Sequence, residues 1–250
     1  MSIKNKILSK IPSTTVTNLT NNFTQIKKFQ SSDVAANDRF GWSVAVSITR
    51  IVVGAPYEDT TATGAGSAYI FDMNGNELAK IQASDAAGYD EFGNSVACSD
   101  TRIVVGAQYE DTTANGAGSA YIFDIDGNEL AKIQASDAAV YDQFGKSVAC
   151  SDTRIVVGVP YEDTTASDAG SSYIFDIDGN ELAKIQASDA GSGDRFGNAV
   201  AVSNSRIVVG APYEDTAASN AGAVYVFKNF YNNITSINFR KLRHLFTGTI

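Results

Sequence analysis

One histidine, one tryptophan, two cysteines and four prolines are all that 250 residues contain. No apolar run approaches the roughly 20 residues that a membrane helix needs. His244 lies near the end, in NFRKLRHLFTGTI, so neither a Ser/His/Asp nor a Cys/His site can be assembled, and no phosphate-binding glycine loop is present. The chain therefore reads as a non-enzyme. The opening MSIKNKILSKIPSTT has lysines but no continuous apolar segment after them, which makes a poor secretory signal. Cys98 and Cys150 stand at the same place in two identical SVACSDTRIVVG stretches, where sister segments carry Val46 and Val202. The position asks for a small apolar side chain and a buried thiol serves as one, so inert core cysteines are expected rather than a disulfide or metal pair. Acid is missing from both ends. All 28 acidic residues fall between positions 29 and 227 beside only 10 Lys or Arg, and the other nine basic residues lie outside that span. An acidic body is a poor match for nucleic acid, although the basic ends suit phosphate or another acidic surface.

What is present is repetition. Phe40-Gly41, Phe92-Gly93, Phe144-Gly145 and Phe196-Gly197 recur every 52 residues, each followed by a copy of RIVVGAPYEDT at 50–60, 102–112, 154–164 or 206–216. Within a unit, SVACS (strand A), RIVVG (B), SAYIF (C) and NELAKIQ (D) read as short strands parted by turn residues, and no helical periodicity competes. Four short antiparallel strands in about 40–50 residues make a β-propeller blade, whose faces are buried only against neighbouring blades. The fold expected is all-β, a propeller of four four-stranded blades. The chain enters through a lone D-like segment at 23–30, FTQIKKFQ, and the last unit lacks its D strand, so the entering segment is expected to complete the last blade and close the ring. A partial ring that joins another chain to reach seven or eight blades is the competing arrangement. The domains expected are a basic arm at 1–22, the propeller at 23–228, and a basic and apolar docking tail at 229–250.

The paired motifs, Phe40-Gly41 through Gly54-Ala55-Pro56 and their copies, resemble the FG-GAP repeat of integrin α-subunit propellers and of bacterial and viral propeller proteins. Gln108 replaces the proline of the second copy and Val159 the alanine of the third. The resemblance implies a Phe wedged between blades and a Gly that permits close backbone approach. That family often carries calcium in an Asp-rich loop between the two motifs. Here the interval NSVACSDTRIVV has Asp100 as its sole carboxylate, far short of the six to eight oxygens calcium takes. IFDIDGNELAKI at 122–133 looks like a second candidate, but an EF-hand alignment would put Ile122 and Ile133 at the first and last ligand positions. Asn74-Gly75, Asp126-Gly127 and Asp178-Gly179 are instead expected as hairpin turns between C and D. No metal or other cofactor is expected.

Function has two candidate seats. One face of the propeller collects the D–A and B–C loops, which differ between blades and suit an asymmetric partner. Asp38, Asp90, Asp142 and Asp194 recur there, either ringing the channel for a cation or basic partner or capping backbone amides. Trp42, replaced by Asn94, Lys146 and Asn198 in the other units, is a candidate anchor for a glycan or aromatic side chain. The other seat is the tail, where Phe239, Arg240, Lys241, Leu242, Leu245 and Phe246 suit assembly contacts as a short amphipathic helix or added strand. A propeller head with docking arms suits a structural subunit of a larger assembly such as a virion or surface appendage, and by that analogy a virion or extracellular surface rather than the cytoplasm. Protein or glycan recognition through the loop face is the alternative, and a homo-oligomer stays open.

Overall fold

A computed structural model describes residues 24–228, and within them the regular elements are all strands. Blade 1 comprises β1 (Ser43–Val46), β2 (Ile51–Ala55), β3 (Ser67–Phe71) and β4 (Glu77–Ile81). Blade 2 comprises β5 (Ser95–Cys98), β6 (Ile103–Ala107), β7 (Ser119–Phe123) and β8 (Glu129–Ile133). In blade 3 they are β9 (Ser147–Cys150), β10 (Ile155–Val159), β11 (Ser171–Phe175) and β12 (Glu181–Ile185). Blade 4 has β13 (Ala199–Val202), β14 (Arg206–Ala211) and β15 (Ala223–Lys228). Each sheet is an antiparallel meander in chain order, the first three with four strands and the last with three.

The C–D hairpins form for a local reason. In blade 2, the Asp124 amide donates to the Asn128 carbonyl at 3.0 Å and the Gly127 amide to the Asp124 carbonyl at 3.2 Å. Gly127 sits at φ +92°, where a side chain would be strained. Asp124 Oδ1 accepts from the amides of Asp126 and Asn128, and its Oδ2 from Asn128 Nδ2. The Asp that looked like a calcium ligand thus pins the turn, and the register slips by one residue at Ile122/Phe123 as β7 enters it.

Packing is between blades rather than within them. One core joins Val52, Ala68 and Ile70 of blade 1 to Phe92, Val105, Tyr121 and Phe123 of blade 2, and equivalent cores join blades 2 to 3 and 3 to 4. Phe92, fully buried, wedges edge-on against Tyr121 and Phe123, as the family resemblance implied. Gly54 and Gly93 let the two backbones meet there: a Cβ on Gly54 would lie 2.0 Å from the Gly93 carbonyl oxygen. The loops are stitched likewise, with the amides of Tyr89, Glu91 and Phe92 donating to the carbonyls of Thr63, Gly64 and Ala65.

The expected ring closure is not made among the described residues. Residues 24–30 do not form a strand and pair with no edge of β15. They lie on blade 1, in the berth that β4 occupies on blade 2: Phe29 packs against Phe40 and Phe71, and Lys27 Nζ reaches the carbonyls of Asn74 and Gly75. β1 packs on β5, β5 on β9 and β9 on β13, but β13 and β1 make no joint of that extent. The segment therefore finds its inter-blade partners, while among the described residues no strand pairs with the outer edge of β15. The proposed arm at 1–22 and tail contacts at Phe239, Arg240, Lys241, Leu242, Leu245 and Phe246 lie outside the described residues.

Candidate functional site

Blades 1 to 3 each carry the same partly buried ionic cluster at the base of the B–C loop. In blade 2, Lys132 Nζ lies 2.6 Å from Asp85 Oδ2 and 2.9 Å from Glu110 Oε1, over the ring of Tyr121. The Tyr121 hydroxyl donates to Asp85 Oδ1, Ser119 Oγ donates to Glu110 Oε2, and Thr112 holds Glu110 through both its amide and its hydroxyl. Blade 1 repeats this with Lys80, Asp33, Glu58 and Tyr69, and blade 3 with Lys184, Asp137, Glu162 and Tyr173. The Asp comes from the loop entering the blade and the lysine from its outermost strand, so the cluster ties loop to sheet. Burial alone would raise the Glu110 carboxyl, but the bonds from Ser119, Thr112 and Lys132 outweigh it and hold the group below its ordinary range.

The four acids before each Phe-Gly are buried and satisfied locally. Oδ2 of Asp38, Asp90, Asp142 and Asp194 accepts the amide of Ala35, Ala87, Ala139 and Gly191, at 2.7–2.8 Å. This is the capping arrangement, and each carboxylate faces its own loop. Among the described residues no group of acids, cysteines or histidines has the geometry of a metal site.

Burial, helped by neighbouring acids including Glu110 and Glu162, pushes the carboxyls of Asp90 and Asp142 up to about 6. A carboxyl whose folded value lies above its ordinary one favours the folded state fully at low pH, and that contribution is lost as pH rises from about 4 through 6. Asp90→Asn and Asp142→Asn keep an oxygen for the loop amide and remove the charge. Each is expected to stabilise the protein by about 1 kcal/mol at pH 7 and by about half as much at pH 5. Urea midpoints at the two pH values check this, and an equal gain at both would overturn it.

The blade-specific residues gather at the same face. Arg39, Glu91, Gln143 and Arg195 follow those acids, and all four take positive φ, between 54° and 58°. Stitching between loops holds the last three there, the amides of Glu91, Gln143 and Arg195 donating to the carbonyls of Gly64, Gly116 and Asp168. The Arg39 guanidinium lies 4.3 Å from the Tyr57 ring and 5.3 Å from that of Trp42. Arg195 sits between Tyr161 and Tyr213, at 4.7 and 4.8 Å, while Glu91 accepts from Gln108 Nε2. Trp42 is half exposed, edge-on to Tyr57, with its indole N–H on Asn94 Oδ1 at 3.2 Å. Burial lowers the Lys146 amine, and Glu91 partly opposes this. A cleft of about 370 Å³ opens between Tyr89, Glu91, Tyr109, Asp111 and Tyr141. Trp42 therefore belongs to a cluster with Arg39 and Tyr57. The sequence had signalled Arg39 and Arg195 by the variation DRFG, DEFG, DQFG, DRFG, a clue eclipsed by the constant Asp beside it.

On the opposite face the A–B turns surround a cavity of about 470 Å³, lined by Ile48, Cys98, Asp100, Asp152 and Asn204 among others. Cys98 and Cys150 are unpaired, and burial raises their thiols to about 11 and 12 respectively. Neither is poised as a nucleophile, since a thiolate is the reactive form.

The FG-GAP repeat family matches the chain in four consecutive copies, at residues 23–71, 76–123, 128–175 and 180–227. The chain belongs to the FG-GAP repeat family. Each family unit begins in one outer strand and ends after the third strand of the next sheet, which is how the lone segment at 23–30 and the three-stranded last blade arise together. No curated protein matches the chain. Among solved structures, BamB from Moraxella catarrhalis is similar at 16% identity and a TM-score of 0.42, over 74% of this FG-GAP chain and 42% of that chain. The FG-GAP chain thus spans less than half the length of that structure.

Proposed function

We propose that this FG-GAP propeller is a non-catalytic structural module, a rigid head within a larger assembly such as a virion or surface appendage, with residues 1–22 and 229–250 as anchoring arms. One observation carries the reading: the polar groups repeated in every blade are engaged in holding loops and blades together. Glu58, Glu110 and Glu162 are each bound by a Ser, a Thr and a Lys, and the acids before each Phe-Gly cap their own loops. Side chains so engaged make a frame rather than a site for acid–base chemistry. Chains lacking 1–22 or 229–250 are expected to melt as the full-length protein does yet fail to enter the particle that contains it. Incorporation at the full-length level would overturn the anchoring role.

A second reading is favoured by the Arg39, Trp42 and Tyr57 cluster, which has no copy in the other blades. An exposed indole beside a guanidinium suits a sugar ring or an aromatic side chain. Trp42→Ala is then expected to weaken glycan or protein binding at least tenfold at unchanged melting temperature, and unchanged binding would sink this alternative.

A further inference from the structure

The last blade presents the first half of an inter-blade joint whose second half lies on the first blade of the same chain, and the two do not meet. Val208, Val224 and Val226 continue the row formed by Val52, Ala68 and Ile70, yet Val224 and Val226 are 68% and 63% exposed where Ala68 and Ile70 are fully buried. On blade 1, Val44 is 68% exposed where its counterpart Val96 is 9%. Glycine marks the same gap. A methyl group at Gly54, Gly106 or Gly158 would lie 1.9–2.1 Å from the carbonyl oxygen of Gly93, Gly145 or Gly197 on the next blade. At Gly210, the fourth of the series, the nearest atom is 3.7 Å away and belongs to its own sheet. Glycine inside a strand with nothing beside it is the imprint of a backbone that approaches from elsewhere. Gly41, with nothing within 4 Å, is the unpaired counterpart of Gly93, Gly145 and Gly197.

The ionic cluster is divided the same way. Blade 4 has Asp189 bound to the Tyr225 hydroxyl and Glu214 bound to the Thr216 amide, but among the described residues no lysine joins them. In register with Lys80, Lys132 and Lys184 stands Lys28, on the segment lying along blade 1, and it pairs with no described residue. The cation and its two carboxylates are therefore at opposite ends of one chain.

The geometry points to a second copy of this chain as the missing neighbour: two copies join head to tail, each placing Lys28 between Asp189 and Glu214 of the other, to close one eight-bladed ring. Three like joints bring β1 to β5, β5 to β9 and β9 to β13, and β13 makes no joint of that extent with β1, so the row of four blades does not close on itself. Copies of a four-blade chain must then close at a larger multiple of four. Eight lies within the usual range of four to eight blades and twelve does not. A twofold axis makes both joints identical and leaves no free edge. Ala199 stands where Ser43, Ser95 and Ser147 donate to the next blade's glycine carbonyl, so the joint between chains has one hydrogen bond fewer than those within. This partnership holds whichever role above the module serves.

Sedimentation velocity on the full chain is expected to give twice its 26.4 kDa mass, and negative-stain class averages to show eight blades. Gly210→Ala places a methyl group in open space within one copy but against the Gly41 carbonyl of the other. It is expected to keep the strand signal in circular dichroism and raise the dimer dissociation constant at least tenfold. Lys28→Glu should act likewise, and adding Glu214→Lys should restore part of the loss. A wild-type monomer at all concentrations, a four-bladed ring, any larger stoichiometry, or a Gly210→Ala or Lys28→Glu protein as dimeric as wild type would overturn the proposal.

Discussion

Gly106→Ala is expected to destabilise the protein by roughly 4 kcal/mol or more, the range reserved for core clashes and comparable lesions. Gly106 lies in β6 with a negative φ, so alanine suits its backbone and the cost does not arise from conformation. It arises because the added methyl would sit 2.1 Å from the Gly145 carbonyl oxygen and 2.4 Å from Ser95 Oγ. The serine can rotate away; the carbonyl is part of the next blade's backbone and receives the Ser95 hydroxyl at 2.7 Å. Relief therefore requires blades 2 and 3 to separate, which opens the core that holds Phe144, Val157 and Tyr173. Urea denaturation measures the effect. A loss under 1 kcal/mol would mean that the blades can slide, and that their spacing is not set by backbone contact.

Lys132→Met is expected to cost about 3 kcal/mol at pH 7, because removing one partner leaves a buried carboxylate uncompensated. Glu110, 2% exposed, and Asp85 both lose their cation. The pH dependence carries the sharper test. Burial raises both carboxyls, but hydrogen bonds, those of the lysine among them, keep both below their ordinary values. Depressed carboxyls contribute stability that is present above their unfolded values, near 4, and is lost as pH falls through the folded ones. In the variant the two acids have no cation to hold them ionised, and protonation removes their cost. The gap between variant and wild type should therefore narrow between pH 7 and pH 4. A gap of constant size would show that the lysine acts through its packing against Tyr121 rather than its charge.

The blade was legible because a strand alternation, a Gly-containing turn and a 52-residue period all agree, and local chemistry decides each of them. Asn74 at the hairpin position showed that a carboxylate there is dispensable, and the structure gives the reason: Asp72, two residues earlier, holds that turn by accepting the Asn74 and Asn76 amides. Closure was less legible. The D-like pattern FTQIKKFQ fits the edge of its own last blade and that of another copy alike, and residues 24–30 form no strand here. Which edge it meets depends on the turn between blades, a property of side-chain volumes at Phe92, Tyr121 and their copies rather than of any motif. The site was half legible. Constancy drew attention to Asp38, Asp90, Asp142 and Asp194, which face their own loops. The side chains that give each blade a different surface, Arg39, Glu91 and Arg195, stand immediately after three of them.

The near identity of the three joints has a cost in addressing. Every blade offers the same valines and glycines to its successor and the same Phe-Gly to its predecessor, so a folding chain or two neighbouring chains can dock in a wrong frame with almost native contacts. Among the residues that differ, those after each acid, Arg39, Glu91, Gln143 and Arg195, and those after each Phe-Gly, Trp42, Asn94, Lys146 and Asn198, help tell one joint from the next. They lie where adjoining loops are stitched, and there they serve as labels: Trp42 of blade 1 meets Asn94 of blade 2 and not Lys146 of blade 3. The irregular loop face is thus also the record of blade order, and erasing its differences would leave a sequence that knows its fold but not its place in the row.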